Sequence, residues 1–400
     1  MRYLMIHDAF PGQFIHLFRH LHRAGGHEII AASRKGSTLE LPIEQIVYHV
    51  PAGATSDGKK PQAKLGARME AAALGHDLYN KLKPLADAGR HPDYILVHAS
   101  KGAAYFLRDL FPNARITVFL EWYYRDADPG QVKNPQAFYR ACAANSARNA
   151  VIARDFEQAD AAYASTEFQK SQFPARWQPS INVRHEGIDT DLYCPDDAAT
   201  LTIGDQAFDR DTEIITYAAR GMEKVRGFPQ FMQAIADVQK QRPDCHVMIA
   251  AKDRLCYDPG RGSKGLKKWA EDNVDYDPAR THFVGLLPER EFVRMLQISR
   301  LHVYLSIPFV LSWSVLNAMA AGAPLLASDN APVREVVKDG DNGLLVDPSD
   351  VDAIAGRMIE MLDDQKLWSS VSANARETIL DRFTLKRCVK AQLALIHGQA

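Results

Sequence analysis

Cysteine is scarce and scattered in this 400-residue chain: Cys142, Cys194, Cys245, Cys256 and Cys388 are odd in number and include no Cys-x-x-Cys pair. Neither a disulfide framework nor a zinc site is read from them, and a reducing cytoplasm is the expected compartment. An excess of one charge is missing too, since 48 Lys and Arg nearly cancel 49 Asp and Glu. Without a broad basic field, nucleic acid is not an expected partner. No basic leader with an apolar stretch and a small-residue cleavage site opens the chain, which runs straight into Tyr3-Leu4-Met5-Ile6, so no secretion signal is read. Residues 301–327 carry no Lys, Arg, Asp or Glu and have the length of a membrane span. Yet Pro308, Ser312, Ser314, Asn317 and the Gly322-Ala323-Pro324 break divide that run into strand, turn, helix and strand, and a buried unit is expected instead.

What is present is the composition of an ordinary globular protein, 46% hydrophobic and 24% charged. The length exceeds what one core serves, so two domains are expected. Short apolar runs at 3–7, 28–32, 94–98, 116–120 and 161–164 alternate with helix-period stretches such as 62–86, the pattern of parallel strands joined by crossover helices. A polar, aperiodic stretch at 194–209 reads as a connection. After it the alternation restarts, with strands at 213–218, 246–251, 301–305 and 325–328 and a helix at 228–241. The expected fold is α/β, with Rossmann-like domains at 1–197 and 198–380 and a last helix, 381–400, that crosses back to the first. Two such sheets facing each other would make a cleft with binding groups on both walls.

The segment Tyr217-Ala218-Ala219-Arg220-Gly221-Met222-Glu223-Lys224-Val225-Arg226-Gly227 follows a strand and opens a helix. Two cations on that loop, Arg220 and Arg226, suit a diphosphate, or are simply solvated. The arrangement resembles the Gly-Arg…Lys-Gly element of family 4 glycosyltransferases, with Arg226 where that family has Lys. The likeness extends through Phe283-Val284-Gly285, through His185-Glu186-Gly187-Ile188-Asp189, and through the strand, Pro-containing loop, Ala-Met-Ala-x-Gly helix and Gly-x-Asn-Gly-Leu-Leu-Val run of 303–347. It covers most of residues 184–365. The resemblance implies a GT-B fold and transfer of a hexosyl unit from a nucleoside-diphosphate sugar to a saccharide or lipid-linked acceptor, with retention, in polysaccharide, lipopolysaccharide or glycolipid assembly. A catalytically degenerate scaffold and a nucleotide-sugar epimerase of the same fold are the alternatives.

Donor-binding residues implied by the likeness are Gly12, Arg220, Arg226, Gly285, Phe309, Val310, Leu311, Ser312, Asn317 and Glu335. Phe309 and Asn317 stand where the family carries two glutamates, the first touching the sugar and the second the ribose. A helix beginning near Trp313, capped by Ser312, would aim its free N–H groups at a phosphate or sugar. Glu335 either helps hold sugar or ribose or is an acid favoured by a helix N-terminus, and Gly12 either admits a ligand or makes a tight turn. In the first half, Glu121 occupies the place where related enzymes often carry His. It either acts on the acceptor hydroxyl or on charge at the anomeric carbon, as a catalytic residue beside Arg220 and Arg226, or pairs with Arg125 on a structural loop. His98, Trp122 and Tyr123 are the acceptor-side candidates. The cation pair supplies what a metal would, so neither metal nor other cofactor is expected, and Asp126-Ala127-Asp128 is too short a signal to change that. Gly260-Arg261-Gly262-Ser263-Lys264-Gly265 follows no apolar strand and is read as a mobile loop rather than a dinucleotide site. Arg19, His20, His22 and Arg23 give the first helix a basic face suited to peripheral contact with an anionic membrane.

Overall fold

The computed structural model describes residues 1–34, 42–50, 66–99, 101–125, 135–257 and 263–399. They form two units, Met1–Gly187 with Lys386–Ala400, and Ile188–Leu385. In the first unit the strands are β1 (Arg2–Ile6), β2 (Glu28–Ser33), β3 (Glu44–Val47), β4 (Tyr94–His98), β5 (Arg115–Phe119), β6 (Ala161–Ala164) and β7 (Ile181–Val183). Helices α1 (Ile15–Ala24), α2 (Gly66–Asp87), α3 (Leu107–Leu110), α4 (Pro135–Glu157) and α5 (Glu167–Ser171) connect them. All seven strands are parallel, in the order β3-β2-β1-β4-β5-β6-β7. Both faces of the sheet are buried, so its central strands are apolar at successive positions rather than alternating. Leu4 and Ile6 of β1 point into one core with Leu74, Leu78 and Leu82 of α2. Tyr3 and Met5 point into the other with Leu17, Phe18 and Leu21 of α1.

The second unit contains β8 (Leu201–Ile203), β9 (Gln206–Phe208), β10 (Ile214–Gly221), β11 (His246–Lys252), β12 (Thr281–Phe283), β13 (Leu301–Tyr304), β14 (Leu325–Ser328) and β15 (Leu344–Val346). Its helices are α6 (Phe228–Gln241), α7 (Lys267–Asn273), α8 (Glu289–Gln297), α9 (Trp313–Ala321), α10 (Ala331–Arg334), α11 (Val351–Asp363) and α12 (Gln365–Arg382). The parallel sheet runs β12-β11-β10-β13-β14-β15. Ile215 and Tyr217 pack with Phe231, Ile235 and Val238 of α6 and with Met358 of α11 on one face. Ile214 packs with Val315, Leu316 and Met319 of α9 and with Ile379 of α12 on the other. The uncharged run 301–327 is thus a buried strand, loop, helix and strand, and among the described residues no helix is long and apolar enough to cross a membrane. The last helix, α13 (Leu385–Ile396), returns to the first unit, where Val389, Leu395 and Ile396 join the α1 side of the core and the Tyr3 hydroxyl meets His397 Nε2 at 2.8 Å.

The polar stretch expected as a connection proves to be a hairpin of the second unit. Strands β8 and β9 pair antiparallel around Gly204, whose φ is 59°, and bury Leu201 and Phe208. Two apolar side chains in three-residue strands leave too little pattern to read in advance. Strands β3, β7, β12 and β15 were likewise not legible, and each is a sheet edge. An edge strand pairs on one side only and needs little apolar surface, as the exposed Glu44 and Gln45 of β3 show.

Candidate functional site

Open parallel sheets bind ligands where neighbouring strands lead off in opposite directions, at their carboxyl ends. In the second unit that point lies between β10 and β13, and in the first between β1 and β4. Candidate residues collect at both.

After β10 the chain makes a single tight helical turn, Lys224–Arg226, and Gly227 takes up a left-handed φ of 61° before α6 begins. A Cβ at Gly227 would lie 2.4 Å from the Leu305 Cβ, so only glycine lets this turn lie against the end of β13. That approach sets Arg226 beside Tyr304. Its guanidinium donates to the Tyr304 hydroxyl at 3.1 Å and lies over the rings of Tyr257 (5.1 Å) and Phe309 (6.0 Å). Its carbonyl accepts the Tyr217 hydroxyl at 2.8 Å. Burial works against the charge, the oxygens of Tyr304, Tyr257 and Tyr217 work for it, and the balance lies above the ordinary guanidinium value. Tyr257 is itself held from below, because the buried Glu223 accepts the amides of Cys256 and Tyr257, each at 2.8 Å. Arg220 lies not on the loop expected for it but in β10, one residue before its end, where the bulged strand leaves it exposed; among the described residues no carboxylate pairs with it.

Beyond β13, Phe309 and Val310 are half-buried and Leu311 is buried in the core. Ser312 caps α9, its Oγ accepting the Ser314 amide at 3.3 Å, as the sequence suggested. Asn317, on the second turn of α9, is only 9% exposed, yet among the described residues no hydrogen bond holds its amide. Gly285, just past β12, has φ 73° with open space where a Cβ would stand, so its requirement is conformational. Glu335 closes α10, half-buried, with its carbonyl accepting from Arg382 at 3.1 Å. Three residues of this site were not read from the sequence: Tyr257, Tyr304 and Asn330. Asn330 donates to the Ser306 carbonyl at 3.0 Å and caps α10, tying the ends of β13 and β14 together. Nothing local marks a tyrosine as a neighbour of an arginine 30 or more residues away, or an asparagine as the tie between two strand ends.

In the first unit a polar chain crosses the strand ends. The Ala9 amide donates to His7 Nδ1 at 3.0 Å, which leaves Nε2 to carry the ring proton toward Gln13 Oε1, 2.7 Å away. Gln13 Nε2 donates to Glu121 Oε1 at 2.5 Å, and His98 Nε2 lies 3.2 Å from Glu121 Oε2. Gln169 donates to the Glu121 carbonyl at 2.8 Å. Burial, joined by the neighbouring His98, pushes the His7 pKa down to about 4, so its ring is neutral. For His98 burial also opposes charge, but the Glu121 carboxylate outweighs it and the pKa is raised. Arg125 does not pair with Glu121; it donates to the Ser171 carbonyl at 2.6 Å. Trp122 lies against Phe168 at 6.1 Å, while Tyr123 turns into the core against Phe173 and Trp177. His7 and Gln13 were not legible in advance, the only hint being a histidine and an amide flanking Gly12.

Gly12 owes its identity to that chain. A Cβ there would stand 2.2 to 2.6 Å from three atoms of the His7 ring, and its φ is 49°. Gly12→Ala is therefore expected to push His7 off Gln13 and destabilise the first unit by about 1–3 kcal/mol through overpacking and backbone strain. Thermal unfolding of the variant checks this, and an unchanged Tm would count against it. The Asp126–Asp128 pair and Gly260–Gly262 lie outside the described residues, among which no group of three or more metal-ligating side chains is found.

Comparison with known proteins follows the same division. The model described as "Glycosyl transferase family 4 group" matches residues 25–193, and "Glycosyl transferases group 1" matches residues 201–378. The chain is 24% identical over 238 residues to a GDP-mannose-dependent alpha-(1-6)-phosphatidylinositol monomannoside mannosyltransferase of Mycolicibacterium smegmatis, covering 54% of this chain and 57% of that protein. The chain spans about half the length, or less, of the curated relatives it matches. Among solved structures, sucrose-phosphate synthase of Thermosynechococcus elongatus superimposes with a TM-score of 0.70 at 18% identity, over 100% of this chain and 98% of that one. HepE of Anabaena in complex with UDP-glucose gives 0.68 at 13% identity over the whole of both chains. These likenesses establish the GT-B fold.

Proposed function

This chain belongs to the family 4, group 1 glycosyltransferases, and on that premise we propose that it transfers a hexosyl unit from a nucleoside-diphosphate sugar to a hydroxyl of a saccharide or lipid-linked acceptor, with retention, in the assembly of a polysaccharide, lipopolysaccharide or glycolipid. One observation carries the reading: Arg226 is fixed at the switch point of the second sheet, with Arg220 exposed near the end of β10, paired with no carboxylate among the described residues, and the capped N-terminus of α9 three residues beyond Phe309. Two cations and a helix dipole there suit a diphosphate, and neutralising the leaving diphosphate is the electrostatic demand of glycosyl transfer. No metal is needed for that neutralisation in this proposal. Asn317 offers an amide that no hydrogen bond claims among the described residues to ribose or sugar hydroxyls, which favours a working donor site over a degenerate scaffold. HepE's complex with UDP-glucose and the mannosyltransferase's stated dependence on GDP-mannose make UDP- and GDP-sugars the first donors to try. In the first unit, Glu121 supplies a fixed negative charge for the oxocarbenium-like transition state, with His98 and Trp122 toward the acceptor.

Calorimetric titration with UDP, GDP, dTDP and ADP tests the donor site. Micromolar binding of one nucleotide, lost in Arg220→Ala, is expected, and binding of none would move the assignment to a scaffold. Incubation with the matching sugar nucleotide alone separates transfer from epimerisation, which needs no acceptor. On α1, His20, His22 and Arg23 are exposed while Leu17, Phe18 and Leu21 are buried, which gives a surface suited to an anionic membrane that carries a lipid-linked acceptor. Co-sedimentation with anionic liposomes at low salt is the expected result; a protein that stays in the supernatant excludes that contact.

A further inference from the structure

Glu121 sits in an unusual setting for a proton acceptor. Two side chains from two strand ends address its carboxylate, Gln13 at Oε1 and His98 at Oε2, and its backbone carbonyl is held by Gln169. A carboxylate that already receives such hydrogen bonds is stabilised in its ionised form and is a poor base. Its geometry suits an anion that must neither move nor take up a proton. Gln13 is the least obvious member of this arrangement. An amide can present its oxygen and its nitrogen in only one order, and here the order is dictated from behind. The Ala9 amide occupies His7 Nδ1, so His7 Nε2 must donate; Gln13 Oε1 must then accept, and Gln13 Nε2 is left to donate to Glu121. Gly12 makes the chain possible by leaving room for the His7 ring.

We infer that Gln13 is the positioning residue of the first unit's site, passing a fixed hydrogen-bond polarity from the Ala9 amide through His7 to Glu121, so that Glu121 stays an oriented, ionised carboxylate and acts as an anion rather than a base. The inference rests on the reading of Glu121 as the charge that faces the transferring sugar, and goes beyond it in saying what keeps that charge in place. Titratable groups that act on this cluster include His98, His7 and, through its field on His98, Asp8. His7 is neutral and contributes polarity alone, while His98 and Gln13 address the carboxylate directly.

Two variants separate positioning from mere packing. Gln13→Met keeps the length of the side chain but removes the donor. Gln13→Glu puts a second carboxylate at the same distance, so that one of the two must hold a proton. Carbon-13 NMR of protein labelled at the glutamate carboxyl, with the Glu121 signal identified by its loss in Glu121→Gln, reads the ionisation without substrate. The Glu121 titration is expected to move to higher pH in Gln13→Met and further in Gln13→Glu. With donor and acceptor supplied, kcat of Gln13→Met is expected to fall about tenfold, the scale of one hydrogen bond to a charged group. Donor KM should stay unchanged, and the acid limb of the kcat profile should follow the NMR shift. An unmoved Glu121 titration in both variants overturns the inference, whatever happens to kcat. Should the wild-type protein bind no nucleotide, the glycosyl-transfer reading fails, while the NMR titration still decides the role of Gln13.

Discussion

Arg226→Ala is expected to lower kcat/KM by about two to three orders of magnitude, comparable to the loss of a preorganised donor that meets developing transition-state charge. The size follows from how the side chain is held. Its guanidinium is stacked against Tyr257 and Phe309 and anchored on the Tyr304 hydroxyl before any ligand arrives, so little reorganisation is required when a diphosphate binds. The family's lysine in that position would present a point charge and lose the planar contact with two rings. Phe309 fits that proposal: where the family has a carboxylate, which would compete for the arginine, this chain sets an aromatic face beside the guanidinium. Arg226→Lys should fall between wild type and alanine, with most of its loss in donor KM. Steady-state kinetics against donor concentration measure both variants. An Arg226→Ala enzyme with unchanged kcat/KM would remove the diphosphate from this loop.

For Glu121→Gln the expected loss is about two to three orders of magnitude in kcat with donor KM nearly unchanged, because the substitution keeps size and hydrogen-bonding reach and deletes only the charge that matters as the anomeric carbon becomes positive. The same change has a signature in His98. In the wild-type protein burial opposes protonation of that ring and the Glu121 carboxylate overcomes it, giving a raised pKa. Without the carboxylate, burial is left against only the lesser influences of Asp8 and the backbone, and the pKa should fall, which imidazole NMR reads directly. The sign carries over to stability. A raised native pKa contributes stability that is complete below the unfolded-state value near 6.5 and is lost as pH rises through the native value. Glu121→Gln should therefore be most destabilising at acidic pH and least above neutrality, as urea unfolding at two pH values would show. A deficit that grows with pH would contradict the pairing.

How far the molecule could be read in advance differs between its parts. The central strands of both sheets announce themselves because burial on two faces forces continuous apolar runs, and the registers Tyr3↔Tyr94 and Tyr217↔Val303 lie within segments chosen from hydrophobicity alone. The edges β3, β7, β12 and β15 and the β8–β9 hairpin were lost because three or four residues, paired on one side, need no such run. At the sites, two arginines beside glycines stood out, Arg220 and Arg226, and so did Ser312 ahead of an apolar helix. Glu121 was recognisable as a candidate, but its partner was not, and the neighbouring arginine in sequence proved to belong elsewhere.

Sequence alone determined the alternation of strands and helices, the position of Arg226 in the turn after β10, and the capped start of α9, since each depends on residues within a turn or two of one another and local chemistry is enough. Tertiary structure alone decided which side chains meet. Tyr257 reaches Arg226 from beyond β11 and Tyr304 and Phe309 from the end of β13, while Gln13, backed by His7, and His98 converge on Glu121 from beyond β1 and from β4. The reason is the parallel sheet: every crossover returns the chain to the same edge, so residues dozens of positions apart arrive side by side at the carboxyl ends, and no pattern along the chain records which of them will touch.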